Sequence, residues 1–159
     1  MSVTETLLPP AEQELVMSRV FDAPPALLFR LWTDPVHALR WWGPRDHPLT
    51  KIEMDVRPGG TWRGCLTAVA DGRELWQSGR LLELDPPRRL VFTFAWENEG
   101  ERGPDSVVSI DFTPEGAGTR MHFRQTPFRS VDSREGHRGG WSSAFDRLDD
   151  YLAEIEPGR

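Results

Sequence analysis

The sequence predicts an α+β fold in which a curved antiparallel sheet of about seven strands is wrapped around a long C-terminal α-helix. Two hydrophobic patterns support this fold class. Apolar residues recur at helical spacing over residues 132–155 and at every second position over residues 49–128. At about 1.5 Å per residue, the helix is about 36 Å long, enough to cross such a sheet. An antiparallel sheet with one polar face needs cover on the other, and this helix provides it.

The first part of the domain is predicted to contain one strand and two short helices. Residues 15–23 alternate enough for a first strand, and Asp22 followed by Pro24 and Pro25 indicates a helix start. The Asp34-Pro35 pair ends this helix and begins a second one over residues 36–42. We predict a flexible leader over residues 1–13 and a single domain over residues 14–156.

The central region is predicted to be all strand. Clear alternation covers Ile52 to Val56 and the aromatic stripe of Leu90, Phe92, Phe94 and Trp96. Asp71-Gly72 predicts a hairpin. The strand over residues 74–85 alternates less cleanly, so the sequence leaves open which of its faces points inward. Residues 98–105 are predicted to form an acidic loop.

Composition excludes several classes of function. The 159 residues carry a formal net charge of −6, which argues against a nucleic-acid partner because phosphate binding needs a basic surface. One cysteine excludes an internal disulfide, no run is long enough for a membrane span, and the first residues do not resemble a signal peptide. We therefore predict a soluble cytoplasmic protein. The four histidines are too scattered to predict a metal site, and no cofactor motif occurs.

Aromatic residues are the candidates for a ligand site. The chain has seven Trp and eight Phe but one Tyr, so its large rings must be buried in a core or line a pocket. Both interpretations stay open from composition alone, and the divergence of a curved sheet from a helix favours a pocket at one end. The candidate ligand-binding residues are Trp41, Trp42, Met54, Trp62, Trp76, Phe92, Phe94, Trp96, Met121, Phe123, Gln125, His137, Trp141 and Phe145.

Three glycines in the opening turns of the long helix need an explanation. Gly136, Gly139 and Gly140 each cost roughly 1 kcal/mol relative to alanine in a helix. We expect them to allow a close approach of the backbone, either to the sheet or to a molecule that lies between sheet and helix.

Five segments of the chain carry a resemblance to a known family. They are Arg19-Val-Phe-Asp-Ala-Pro24 with the helix that follows, Trp41-Trp42-Gly43-Pro44, Arg57-Pro-Gly-Gly60, residues 79–92, and Gly136-His-Arg-Gly-Gly-Trp141 with its helix. Through them the chain resembles the activator of heat shock protein 90 ATPase homologue-like family of the START-like, or SRPBCC, superfamily, and the resemblance covers nearly all of residues 15–155.

The resemblance implies a helix-grip fold and three alternative functions. The first is the binding of a small apolar, ring-containing molecule between sheet and helix, which we favour. The second is a cyclase- or hydrolase-like enzyme, which would need an inward-facing titratable group such as Glu83, Asp111 or His137. Similar sequences tend to carry histidine where this chain has Gln125, and glutamine is no acid or base near neutral pH, so catalysis is disfavoured.

The third alternative is a chaperone partner that stimulates the chaperone ATPase, as the family name suggests. The eukaryotic activator carries an additional domain before this one, and we expect the short leader here to contain no such domain. This alternative is the least favoured. The sequence leaves the ligand, the pathway and the oligomeric state open, a homodimer included.

Overall fold

The computed structural model describes residues 8–155 and confirms the helix-grip fold. Eight strands form one antiparallel sheet in the order β1-β8-β7-β5-β4-β3-β2, with β6 paired to β5. In chain order the elements are β1 (Leu15–Phe21), α1 (Pro25–Thr33), α2 (Pro35–Trp41), β2 (Leu49–Met54), β3 (Thr61–Thr67), β4 (Glu74–Asp85), β5 (Arg89–Asn98), β6 (Glu101–Arg102), β7 (Ser106–Glu115), β8 (Gly118–Thr126) and α3 (Val131–Ile155).

The short strand β6 corrects the prediction that residues 98–105 form an acidic loop after β5. Glu97 pairs with Arg102 and Asn98 with Glu101, so β6 folds back on the end of β5. The turn between them needs a left-handed backbone, which Gly100 supplies with a φ of +84°. The sequence reads as a loop there because β6 has two residues, too few to show alternation.

The two short helices lie between β1 and β2, as predicted. Pro25 occupies the first turn of α1, where its missing N–H costs nothing. Asp34 ends α1, and its side chain caps α2 by accepting a hydrogen bond from the backbone N–H of Val36 at 3.0 Å. The aspartate-proline pair therefore turns one helical segment into two.

The long helix α3 lies against β1 and α2, and its apolar face is buried. Arg19 of β1 forms ion pairs with Asp146 and Asp149 on the exposed side of the helix. Nδ1 of His37 in α2 lies 2.7 Å from the hydroxyl oxygen of Tyr151. The buried residues of the helix are Trp141, Ala144, Phe145, Leu148, Tyr151 and Leu152.

The space under α3 is largely filled, and Trp32 of α1 fills its centre. Trp32 is 1% exposed and packs against aromatic rings from α2, the sheet and α3. The ring centroids that surround it lie between 4.6 and 6.5 Å away and belong to Trp41, Trp42, Phe92, Phe123, Trp141 and Phe145. Any cavity must therefore lie to one side of this cluster.

Part of the predicted leader lies outside the described residues, namely residues 1–7. Pro10–Glu12 forms one turn of 3-10 helix, and the backbone oxygen of Gln13 accepts a hydrogen bond from the N–H of Phe128 at 2.8 Å. The flexibility of the leader as a whole stays a prediction.

Candidate ligand-binding site

A cavity of about 330 Å³ opens between the first turns of α3, the loop after α2 and the strands β3, β4 and β5. Its lining is mostly apolar and contains no aspartate, glutamate, lysine or arginine. The size is at the lower end of the range for small-molecule sites, roughly 300–1,000 Å³. The lining residues are Trp42, Gly43, Pro44, His47, Leu66, Leu75, Gln77, Phe94, Trp96, Ser133, Gly136, His137, Gly140, Trp141 and Ala144.

Helix α3 holds the loop after α2 in place at the rim of the cavity. The guanidinium of Arg147 donates hydrogen bonds to the backbone oxygens of Trp42 at 2.9 Å and Gly43 at 2.8 Å. The backbone N–H of Arg45 donates to Oγ of Ser143 at 3.0 Å. These contacts fix the rim to the same helix that forms the opposite wall.

Two of the three helix glycines, Gly136 and Gly140, line the cavity, and Gly139 does not. A Cβ atom at any of the three would meet no atom beyond its own stretch of helix within 4 Å, so none of them permits a close approach to the sheet, which corrects one of the two expectations. The expectation that remains is a close approach of the helix backbone to a bound molecule, because Gly136 and Gly140 leave that backbone uncovered on the cavity side.

The structure brings five of the fourteen candidate residues to the cavity: Trp42, Phe94, Trp96, His137 and Trp141. Five others lie in the filled core, where the core interpretation fits better than the pocket interpretation: Trp41, Phe92, Met121, Phe123 and Phe145. Met54 and Trp62 contact the same core and also line a separate cavity of about 940 Å³ that contains charged side chains. Gln125 is buried behind Trp141 and lines a neighbouring cavity of about 290 Å³, and Trp76 lies on the outer face of the sheet.

Strand β4 explains why Trp76 points outward. Its ring packs against the guanidinium of Arg63 at 3.9 Å and the ammonium of Lys51 at 5.5 Å, both on the outer face. The inward positions of β4 are Leu75, Gln77, Gly79 and Leu81. After Leu81 the pairing with β5 shifts register, and beyond this bulge it is Leu84 that contacts the core. Because of this bulge, residues of both parities touch the core, and alternation alone does not identify the inward face.

Gln77 is the cavity residue that sequence reasoning missed, and its geometry is well defined. It is 2% exposed, and its Oε1 accepts a hydrogen bond from Nε1 of Trp42 at 2.9 Å. Gln125, which is fully buried, accepts from Nε1 of Trp141 at 2.8 Å in the same way. An indole N–H can only donate, so each contact fixes the orientation of the amide.

His137 and Trp96 meet across the edge of the cavity. Nε1 of Trp96 donates to Nε2 of His137 at 2.9 Å, and Nδ1 of His137 lies 2.7 Å from the backbone oxygen of Ser133. Since Trp96 only donates, Nε2 is the acceptor and Nδ1 carries the proton. Burial lowers the pKa of the imidazole, although the hydrogen bond to Ser133 acts in the opposite direction.

We predict that His137 makes the protein less stable as the solution is acidified. Above about pH 6.5 the imidazole is neutral in both the folded and the unfolded chain. As the pH falls below that value, the unfolded chain takes up the proton first, since the folded-state pKa of His137 is lowered, and the free energy of unfolding decreases. The loss ends once the pH is below the folded-state pKa.

The measurement is urea unfolding of the wild type and of His137→Gln between about pH 5 and pH 8, the range in which histidine titrates. Glutamine keeps an acceptor for Trp96 but does not titrate, so the variant should lose less stability on acidification. His122→Gln removes an imidazole from the exposed side of β8 and is the matched control. Parallel pH profiles for wild type and His137→Gln would contradict the prediction.

The other titratable candidates do not face the cavity. Glu83 and Asp111 both pair with Arg89 on the outer side of the sheet, at 3.2 and 2.8 Å. Within residues 8–155, no three histidine, cysteine, aspartate or glutamate side chains are grouped so that they would hold a metal ion. The chemistry of the cavity is therefore that of aromatic rings, the amide N–H group of Gln77 and the imidazoles of His47 and His137.

The curved sheet, the gripped helix and the cavity between them define a START-like protein, a fold that typically binds hydrophobic ligands. A family model described as "Activator of Hsp90 ATPase homolog 1-like protein" matches residues 22–153. The chain belongs to this family, as the resemblance of its motifs indicates. Among curated proteins, none matches the chain.

Several solved structures are similar to this chain. Protein CV1439 from Chromobacterium violaceum is 26% identical over 88% of this chain and 96% of its own, with a TM-score of 0.81. The AHSA1 protein SPO3351 from Silicibacter pomeroyi is 25% identical over 90% of this chain and 99% of its own, with a TM-score of 0.82. CalU16 from Micromonospora echinospora is 26% identical over 88% of this chain and 76% of its own, with a TM-score of 0.64.

None of the helices within residues 8–155 combines the length and the hydropathy that a membrane span requires.

Proposed function

We propose that this protein binds a small, apolar, ring-containing molecule in the cavity between the sheet and α3. The observation that carries the proposal is the cavity wall, which has the rings of three tryptophans and one phenylalanine, no aspartate, glutamate, lysine or arginine, and a helix backbone left bare by two glycines. Aromatic rings prefer offset or edge-on contacts with other rings. Phe94 already makes such contacts with Trp96 and Trp141, at centroid distances of 5.5 and 6.2 Å, and a flat guest would add to them.

Binding fits the geometry better than catalysis. His137 is the titratable group with a shifted pKa at the cavity, but both of its ring nitrogens are engaged, Nε2 by Trp96 and Nδ1 by Ser133. A general base needs a free lone pair within reach of the substrate proton. His137 in this arrangement instead links the sheet to the helix at the edge of the cavity.

The proposal is tested by melting the purified protein with a panel of polycyclic aromatic compounds, sterols and fatty acids. We expect small polycyclic aromatics to raise the melting temperature, because a ligand that binds only the folded state stabilises it by about 2.7 kcal/mol at 100 times its Kd. Sterols and long fatty acids should have smaller effects, since the cavity is about 330 Å³. No shift with any compound at near-millimolar concentration would contradict the proposal.

A further inference from the structure

The side-chain amide of Gln77 uses its oxygen, but not its NH₂ group, in hydrogen bonds within residues 8–155. Its Oε1 accepts a hydrogen bond from Trp42, and its Nε2 donates no hydrogen bond to any group in this part of the chain. The side chain is 2% exposed and lines the cavity. Among the described residues, Nε2 of Gln77 is not one of the fully buried side-chain atoms without a partner, so solvent can reach it in the free protein. A ligand acceptor would replace that hydration by a hydrogen bond whose net worth is about 1 kcal/mol.

The second buried glutamine shows how such an amide is satisfied when no ligand is needed. Oε1 of Gln125 accepts from Trp141, and its Nε2 donates to Oγ of Ser106 at 2.9 Å. Oγ of Ser106 in turn donates to the backbone oxygen of Phe94 at 3.3 Å. Both ends of Gln125 are thus paired within the protein, whereas Gln77 has the same tryptophan contact and an unused donor that faces the cavity.

The position of Gln77 places this donor at the inner end of the cavity. Gln77 and Trp42 are each 2% exposed, whereas Trp96 is 36% exposed and His47 is half-buried at the rim. An acceptor bound to Gln77 is therefore shielded from water. A charged acceptor is disfavoured there, because the lining has no lysine or arginine to offset the desolvation of a carboxylate.

From these contacts we infer that the ligand is a neutral ring system with an acceptor oxygen, such as a ketone carbonyl, that receives a hydrogen bond from Nε2 of Gln77. This inference rests on the proposed function, since it concerns the same cavity. It specifies that the ligand carries a polar group, where in the cavity that group lies, and that the ligand is uncharged.

The test uses two probes that share a flat frame and differ in one carbonyl, fluorene and 9-fluorenone, together with the charged fluorene-9-carboxylate. The wild type should bind 9-fluorenone about fivefold more tightly than fluorene, which corresponds to a net hydrogen bond of about 1 kcal/mol. The carbonyl stretch of the bound ketone should move to lower frequency, and the carboxylate should not bind measurably.

Two matched variants locate the donor. Gln77→Leu should abolish the fivefold preference and the shift of the carbonyl stretch while fluorene still binds. Gln125→Leu removes a buried amide with an equivalent tryptophan contact, so the preference and the frequency shift should persist even where overall affinity falls. Circular dichroism of each variant establishes that it is folded.

The outcomes separate the inference from the proposed function. Equal binding of both neutral probes by the wild type, or loss of the preference in Gln125→Leu instead of Gln77→Leu, would overturn the assignment of Gln77 and leave the cavity proposal standing. Binding of neither neutral probe would overturn the assignment of Gln77, and the cavity proposal falls with it only if no compound of the panel of polycyclic aromatics, sterols and fatty acids shifts the melting temperature.

Discussion

Gly140→Leu is expected to abolish ligand binding while leaving the free protein at least as stable as the wild type. Gly140 lines the cavity, and a Cβ atom at this position would meet no atom beyond its own stretch of helix within 4 Å, so a side chain there occupies cavity space. Replacing a helical glycine by leucine also favours the helix by roughly 0.5–1 kcal/mol. The melting temperature of the free variant should therefore rise or stay unchanged, and the rise that a polycyclic aromatic causes in the wild type should disappear.

Gly139→Leu is the matched control for this change. Gly139 precedes Gly140 in the same turn of α3, is exposed and does not line the cavity. The control gains the same helix propensity and should keep the ligand-induced rise in melting temperature. If Gly140→Leu binds the ligand as tightly as Gly139→Leu does, the ligand occupies another part of the protein.

Local sequence patterns determined most of the fold. The Asp34-Pro35 pair, the alternation in β7 and β8 and the helical spacing after Trp141 each reflect an interaction within one element, so each is visible without knowledge of the rest of the chain. The two-residue strand β6 was not predicted, because its pairing depends on where β5 ends.

The ligand cavity was less predictable than the fold, because its position depends on which aromatic ring fills the space under α3. Trp32 lies in α1, and nothing in its local sequence shows that its ring packs between the sheet and α3. Because Trp32 fills the centre, rings such as Trp41 and Phe145 pack against it and belong to the core. The ligand cavity therefore lies at the start of α3. Gln77 was missed for a different reason, the bulge that hides the inward face of β4.

Replacement of Trp32 is expected to have the largest effect on stability, and its size should depend on the replacement. Trp32→Ala removes a ring that is 1% exposed and contacts six others, so the free energy of unfolding should fall by about 3–5 kcal/mol. Trp32→Phe should cost much less. It keeps a ring and removes Nε1, which is buried without a hydrogen-bond partner among the described residues.

Trp41 provides the matched comparison for this argument. It is fully buried, and its Nε1 donates to the backbone oxygen of Leu31 at 3.0 Å. Trp41→Phe loses the same part of the ring as Trp32→Phe but leaves that oxygen unpaired, so it should be more destabilising by about 1–3 kcal/mol. Urea unfolding of the two variants at one pH measures the difference directly. Equal costs would mean that Nε1 of Trp32 forms a hydrogen bond in solution, and that the centre of this core is not as dry as its ring packing implies.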